Sequence, residues 1–223
     1  ITCIVGIVGI TNLNTVQSSY ELDYQSTASA MEYLEKISSK FQQIRVNVMA
    51  YGTIADTQEI KDYYLERLEL HKGVIAENIN AYYDILDDYD SADVATEMEL
   101  LQNIENIINE YETMTDNLIK QLNAGLISKD EFAAQFSKGG AALTLAQNTE
   151  TVIRNLIDYN VDTASQQIVK NGELARNSIL ITIIVLIIGA VVALILSLAI
   201  SRGISGPVNK VVEAAHRLAE GDI

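Results

Sequence analysis

Few side chains in this 223-residue chain stand in patterns that could do chemistry. Its two histidines, His71 and His216, are far apart, and neither has a nucleophile or a second metal ligand at a useful spacing. Each therefore reads as a surface or stripe-edge imidazole. The single cysteine, Cys3, can close neither an internal disulfide nor a zinc site. Asp84, Asp87, Asp88, Asp90 and Asp93 crowd together, yet they lack the glycine and the alternation of a calcium loop, which points to a solvated hairpin tip. No catalytic constellation, metal site or cofactor motif emerges. Arg45 is the sharpest candidate, because it falls at a helical seam position where an unpaired cation is costly to desolvate and demands an anion. That anion is either internal, from Asp62, Glu66 or Glu150, or it belongs to a ligand. At the same level a later helix offers Asn148, Thr151 and Arg154 as polar groups for a ligand site.

Composition narrows the setting in which Arg45 works. Thirty acidic against 15 basic side chains give a net charge of −15, which excludes a nucleic-acid reader. One proline and 12 glycines leave long stretches without helix breakers, and no alternating runs signal strands, so the expectation is all-α. The apolar residues gather in two places. Ile179 to Ile200 carries no charge and is long enough to cross the roughly 30 Å hydrocarbon core as a helix. Residues 1–13 are apolar but too short to cross alone, and read as the last part of a first transmembrane helix. Between them, residues 11–178 carry 27 acidic and 12 basic groups, so the whole net charge resides there, on a surface suited to solvent.

That middle region, residues 14–178, reads as an antiparallel four-helix bundle continuous with the transmembrane helices. In the first helix Leu13, Tyr20, Thr27, Leu34, Phe41 and Val48 recur every seven residues. Tyr24, Met31, Ser38 and Arg45 form a companion row four positions later, completing an a/d seam. Gly52 and the following turn end it, and Asp56 with Glu59 has capping-box spacing for a second helix. That helix carries a stripe of Leu68, Ile75, Ile79, Tyr82, Leu86 and Tyr89. Asp93 suits the cap of a third, with Met98, Leu101, Ile104, Ile108, Tyr111, Leu118 and Leu122 as its stripe and Gly125 at its C-terminal end. Ser128 with Glu131 opens a fourth pattern through Leu145, Val152, Leu156 and Tyr159 into the span at 179–201, with a loop or kink at Gly139 and Gly140.

Residues 202–223 follow the span. Ser205, Gly206 and Pro207 are expected to break the helix and restart it. Val208, Val211, Ala215 and Leu218 then form one coiled-coil face, which needs partner helices, before Gly221 stops it. This stretch resembles the first helix of a HAMP linker, with Pro207 at its start and Gly221-Asp222 matching that family's GD motif. Val5–Tyr20 resembles the exit of the first transmembrane helix of methyl-accepting chemotaxis proteins, and Phe41–Gly52 resembles the arginine-bearing part of their first sensor helix.

The resemblance implies a homodimeric, multi-pass receptor in the cell membrane, with residues 14–178 extracytoplasmic and 202–223 cytoplasmic. It implies a small-molecule ligand between the first and fourth helices near the dimer seam, held by arginines. It also implies that Arg202, Gly203, Gly206, Pro207, Gly221 and Asp222 transmit the signal toward a chemotaxis histidine kinase and its coupling protein. On that reading the chain is not itself an enzyme. The sensor region of a membrane histidine kinase, or a membrane-anchored helical scaffold with no signalling role, would share the same parts.

Overall fold

The computed structural model describes residues 2–87 and 92–219. Those residues are helical, joined by short turns, with no strand among them. The helices are α1 (Thr2–Ile54), α2 (Gln58–Asp87), α3 (Ala92–Asn123), α4 (Lys129–Gln135) and α5 (Ala141–Ala219). The chain divides into two compact units, Leu22–Gln167 and, separately, Ile1–Glu21 with Ile168–Ile223. Asp88, Tyr89, Asp90, Gly221 and Asp222 lie outside the described residues, as do the side chains of Cys3, Tyr24, Asp93 and Leu218.

Within Leu22–Gln167, parts of α1 and α5 join α2 and α3 as a four-helix bundle. Cross-helix pairs set its direction and register. Lys72 meets Asp116 and Tyr83 meets Glu105, so α2 and α3 run antiparallel. Phe41 packs on Tyr111 and Tyr51 bonds Asn123, so α1 and α3 run parallel. Tyr33 and Asn160 both meet Tyr82, while Arg45 meets Glu150, so α5 descends as α1 rises. The core follows the a/d logic: Ala30, Leu34, Ile37, Phe41, Ile44, Val48 and Tyr51 of α1 are at most 2% exposed.

This core confirms Leu34, Phe41 and Val48 but moves their companion row. The buried companions stand three positions on, not four, and Met31, Ser38 and Arg45 are half-buried at the margin. Ile37, Ile44 and Tyr51 offer more apolar area than the serine and the arginine, so packing turns that flank inward. Leu13 and Tyr20 lie in the other unit, exposed by 70% and 40%. In α2 the stripe Leu68, Ile75, Ile79, Tyr82 and Leu86 is buried, and His71 lies within it at 3% exposure, not at a surface or an edge. Leu101, Ile104, Ile108 and Tyr111 of α3 are buried, with Met98, Leu118 and Leu122 packed against the core. In α5 Leu145 and Leu156 are buried as the pattern expects, joined by Thr149, Ile153 and Asn160.

The turns show similar local corrections. Thr57, not Asp56, caps α2, its hydroxyl accepting the Ile60 amide, while Asp56 pairs with Lys129. Gly125 adopts φ +67° at the end of α3, and Gly139 takes φ +90° in the loop before α5. The Ser128–Glu131 capping box forms, but it opens only the short α4. Gly52 stays inside α1, where a Cβ would lie 2.0 Å from Cε1 of Phe132, the fully buried ring of α4.

In the other unit α5 continues through Pro207 and does not break at Ser205–Pro207. Gly206 carries no Cβ to clash with the proline ring, which eases one of the steric terms against helical backbone before a proline. The most apolar 18-residue window of this helix has a mean hydropathy of 3.4 and is not covered by other parts of the chain. Ile184, Leu186, Ile187, Leu194 and Leu196 are each more than half exposed, a surface that is stable where lipid replaces water. Gly9, Leu13 and Val16 of α1 and Ala175, Ile179 and Ile183 of α5 line one cleft of about 270 Å³, so the start of α1 lies along the first turns of this apolar stretch.

Adding a methyl at Gly52 must push the Phe132 ring aside. Gly52→Ala is expected to destabilise the bundle by about 1–3 kcal/mol in urea unfolding, and Phe132→Leu in the same chain should recover part of that loss.

Candidate functional site

Arg45 sits on the margin of α1, its side chain 24% exposed. Its guanidinium pairs with Glu150 of α5 and donates a 2.9 Å hydrogen bond to Gln42 Oε1. Gln42 also donates to Glu150 at 2.6 Å. Of the three internal anions open to it, the fold therefore supplies Glu150; Asp62 instead accepts a bond from Gln58 within α2. The result is a small polar clamp between α1 and α5, half in water, where a competing anion can reach the guanidinium.

The other candidates do not converge on it within one chain. Asn148 and Glu150 flank buried Thr149 on opposite sides of α5, because successive residues turn by about 100°. Thr151 and Arg154 are exposed and share the outer face of α5. The Thr151 hydroxyl donates to the Gln147 carbonyl of its own helix. Arg202, Gly203, Gly206 and Pro207 lie in the continuous helical tail of α5. Among the described residues no group of three or more His, Cys, Asp or Glu could hold a metal ion.

Two polar arrangements escaped sequence reasoning. Tyr82, fully buried, donates to Glu97 of α3 and accepts from Asn160 of α5 at 2.6 Å, so one hydroxyl ties three helices together. Burial first, then the Glu97 carboxylate, holds its phenol protonated far above the ordinary range. A tyrosine at seam spacing was the available signal, but its partners lie on other helices. The second is a groove between α2 and α3. There Lys72 bonds Asp116 at 3.0 Å, while burial pushes the Glu112 carboxyl upward against the pull of Lys72.

The class these features define is an acidic helical bundle with polar ties across its helices, in a chain with a helix apolar enough to cross a bilayer. The family follows from comparison. A family model described as a four helix bundle sensory module for signal transduction matches residues 1–175. The chain belongs to that family, the sensory module of methyl-accepting chemotaxis proteins. No curated protein and no solved structure matches the chain.

The two polar ties should differ in weight. Arg45→Ala, at a partly exposed pair, is expected to cost about 1 kcal/mol or less in urea unfolding. Tyr82→Phe removes a bond from both Glu97 and buried Asn160, and should cost about 1–3 kcal/mol.

Proposed function

We propose that this chain is the sensory and transmembrane part of a homodimeric chemoreceptor that binds an extracytoplasmic small molecule and moves a cytoplasmic output. The observation that carries the reading is the Arg45–Gln42–Glu150 clamp, which joins the two helices that also enter the membrane-facing unit. A ligand anion that takes Arg45 from Glu150 favours one packing of α1 against α5 over another. Only such differential affinity shifts a conformational population. Asn148, Thr151 and Arg154 lie on other faces of α5 and would serve a ligand shared with a second subunit. Exposed Val46 and Met49 on α1 support an apolar dimer face.

Transmission then runs along α5. The cleft shared by the start of α1 and the first turns of the apolar stretch supports a multi-pass arrangement, with residues 1–13 ending a first span. The tail at 202–223 acts as the start of a HAMP unit. Gly203, Gly206 and Pro207 are poor helix formers that lower the cost of bending there. Val208 and Val211 are exposed by 51% and 69%, a stripe that supports packing in a dimeric coiled coil. The output is control of a chemotaxis histidine kinase through a coupling protein, with no catalysis by this chain.

A thermal-shift screen of small carboxylates on the full chain in detergent micelles tests this. A true ligand at one hundred times its Kd should stabilise by about 2.7 kcal/mol. That shift should vanish in Arg45→Ala and persist in Glu150→Gln. A ligand whose effect survives Arg45→Ala would remove Arg45 from the site.

A further inference from the structure

One layer of the bundle interior is polar, and its histidine has no partner. The cross-helix pairs place Ile44, His71, Thr115 and Thr149 at the same level of α1, α2, α3 and α5, and all are at most 3% exposed. Both threonine hydroxyls donate to carbonyls of their own helices, Thr115 to Tyr111 and Thr149 to Leu145. Neither Nδ1 nor Nε2 of His71 has a hydrogen-bond partner. The hydroxyl of Tyr111, about one helical turn away, is buried without a partner as well.

Among the described residues, the charges that act on the ring are cations, Lys40 and Arg67, and no carboxylate pairs with it. From α1 come Lys40 and Arg45, the latter paired with Glu150 of α5. From α2 itself come Arg67 and Lys72, and Lys72 pairs with exposed Glu69 of its own helix and with Asp116 of α3. Glu112, the other carboxylate of α3 here, is half-buried and its pKa is raised by burial. Burial first, then Lys40 and Arg67, hold the His71 pKa below its ordinary value.

We propose that the proton is a second input to this sensor: protonation of His71 opens the polar layer and loosens α2 against α5 beside the Arg45–Glu150 clamp. A neutral ring fits the apolar stripe between Leu68 and Ile75, whereas a charged ring brings two N–H donors and a cation into a site with no acceptor. As a signal this rests on the receptor reading above; as an acid-sensitive packing layer it does not.

The sign is set by the lowered pKa. The unfolded chain takes up the proton first, so stability is complete above the ordinary imidazole value of about 6.5 and is lost progressively from there as pH falls through the lowered pKa of the buried ring. Glu112 has the opposite sign, since its raised pKa adds stability as pH falls, and it cannot mimic the effect.

The test uses the full chain in detergent micelles. In a His216→Gln background the single remaining imidazole is followed by NMR, and its midpoint is expected below about 6.5. Between about pH 7.5 and about pH 5.5 the unmutated chain should show a several-fold rise in the unfolding constant, with faster hydrogen exchange in α2 and α5 after correction for intrinsic rates. His71→Leu should be flat across that window. A midpoint at or above 6.5, or equal losses in both chains, overturns the proposal. If His71→Leu does not fold, the titration alone decides. A failed carboxylate screen alongside a depressed midpoint would sink the ligand reading and leave the proton site standing.

Discussion

Burial of one apolar stripe per helix is the constraint on which the rest of this structure depends. No stripe can be covered by its own helix, so α1, α2, α3 and α5 must bring theirs together, and Leu34, Phe41, Tyr82, Leu101 and Leu156 become completely inaccessible. That packing sets which side chains meet within the bundle. It puts the Phe132 ring of α4 against Gly52, and it sets the register that brings Glu150 to Arg45. The excess of acid is tolerated because no carboxylate among the described residues is fully buried.

Polar groups inside the bundle set its interior apart from a purely apolar core. An all-apolar core of this size would have one deep minimum. Here Tyr82, Asn160, Thr115, Thr149 and His71 interrupt the stripes, each satisfied locally, satisfied across helices or left unpartnered. Satisfied cross-helix bonds specify one packing, and unsatisfied ones lower its advantage over neighbouring arrangements. A sensor needs that small margin, since a ligand can shift only states that lie close in free energy. The clamp at Arg45 and the polar layer at His71 occupy the same level of the bundle.

Much of the fold was legible in the chain because the signals were local. The heptad row Leu34, Phe41, Val48, the capping box at Ser128 and Glu131, and the glycines at 125 and 139 depend on residues a few positions apart. The candidate site was legible only in part. Arg45 could be singled out, but its place at the margin could not. Rows three and four positions after an a residue lie about 60° and 40° to either side of it, and one helix alone does not say which side faces inward. His71 misled for the same reason: an imidazole at stripe spacing is ordinary at an edge, and its burial depends on three other helices.

By itself, then, the order of amino acids determined the helices, most of their ends, the uncharged stretch from Ile179 to Ile200 and the acidic character of the part before it. These follow from spacing, backbone freedom and length, which are properties of neighbours along the chain. Tertiary structure alone chose Glu150 as the anion for Arg45, joined Tyr82 to Glu97 and Asn160, and enclosed His71 without a partner. Those outcomes depend on which faces of separate helices meet and at what height, and that is decided when the four stripes pack together.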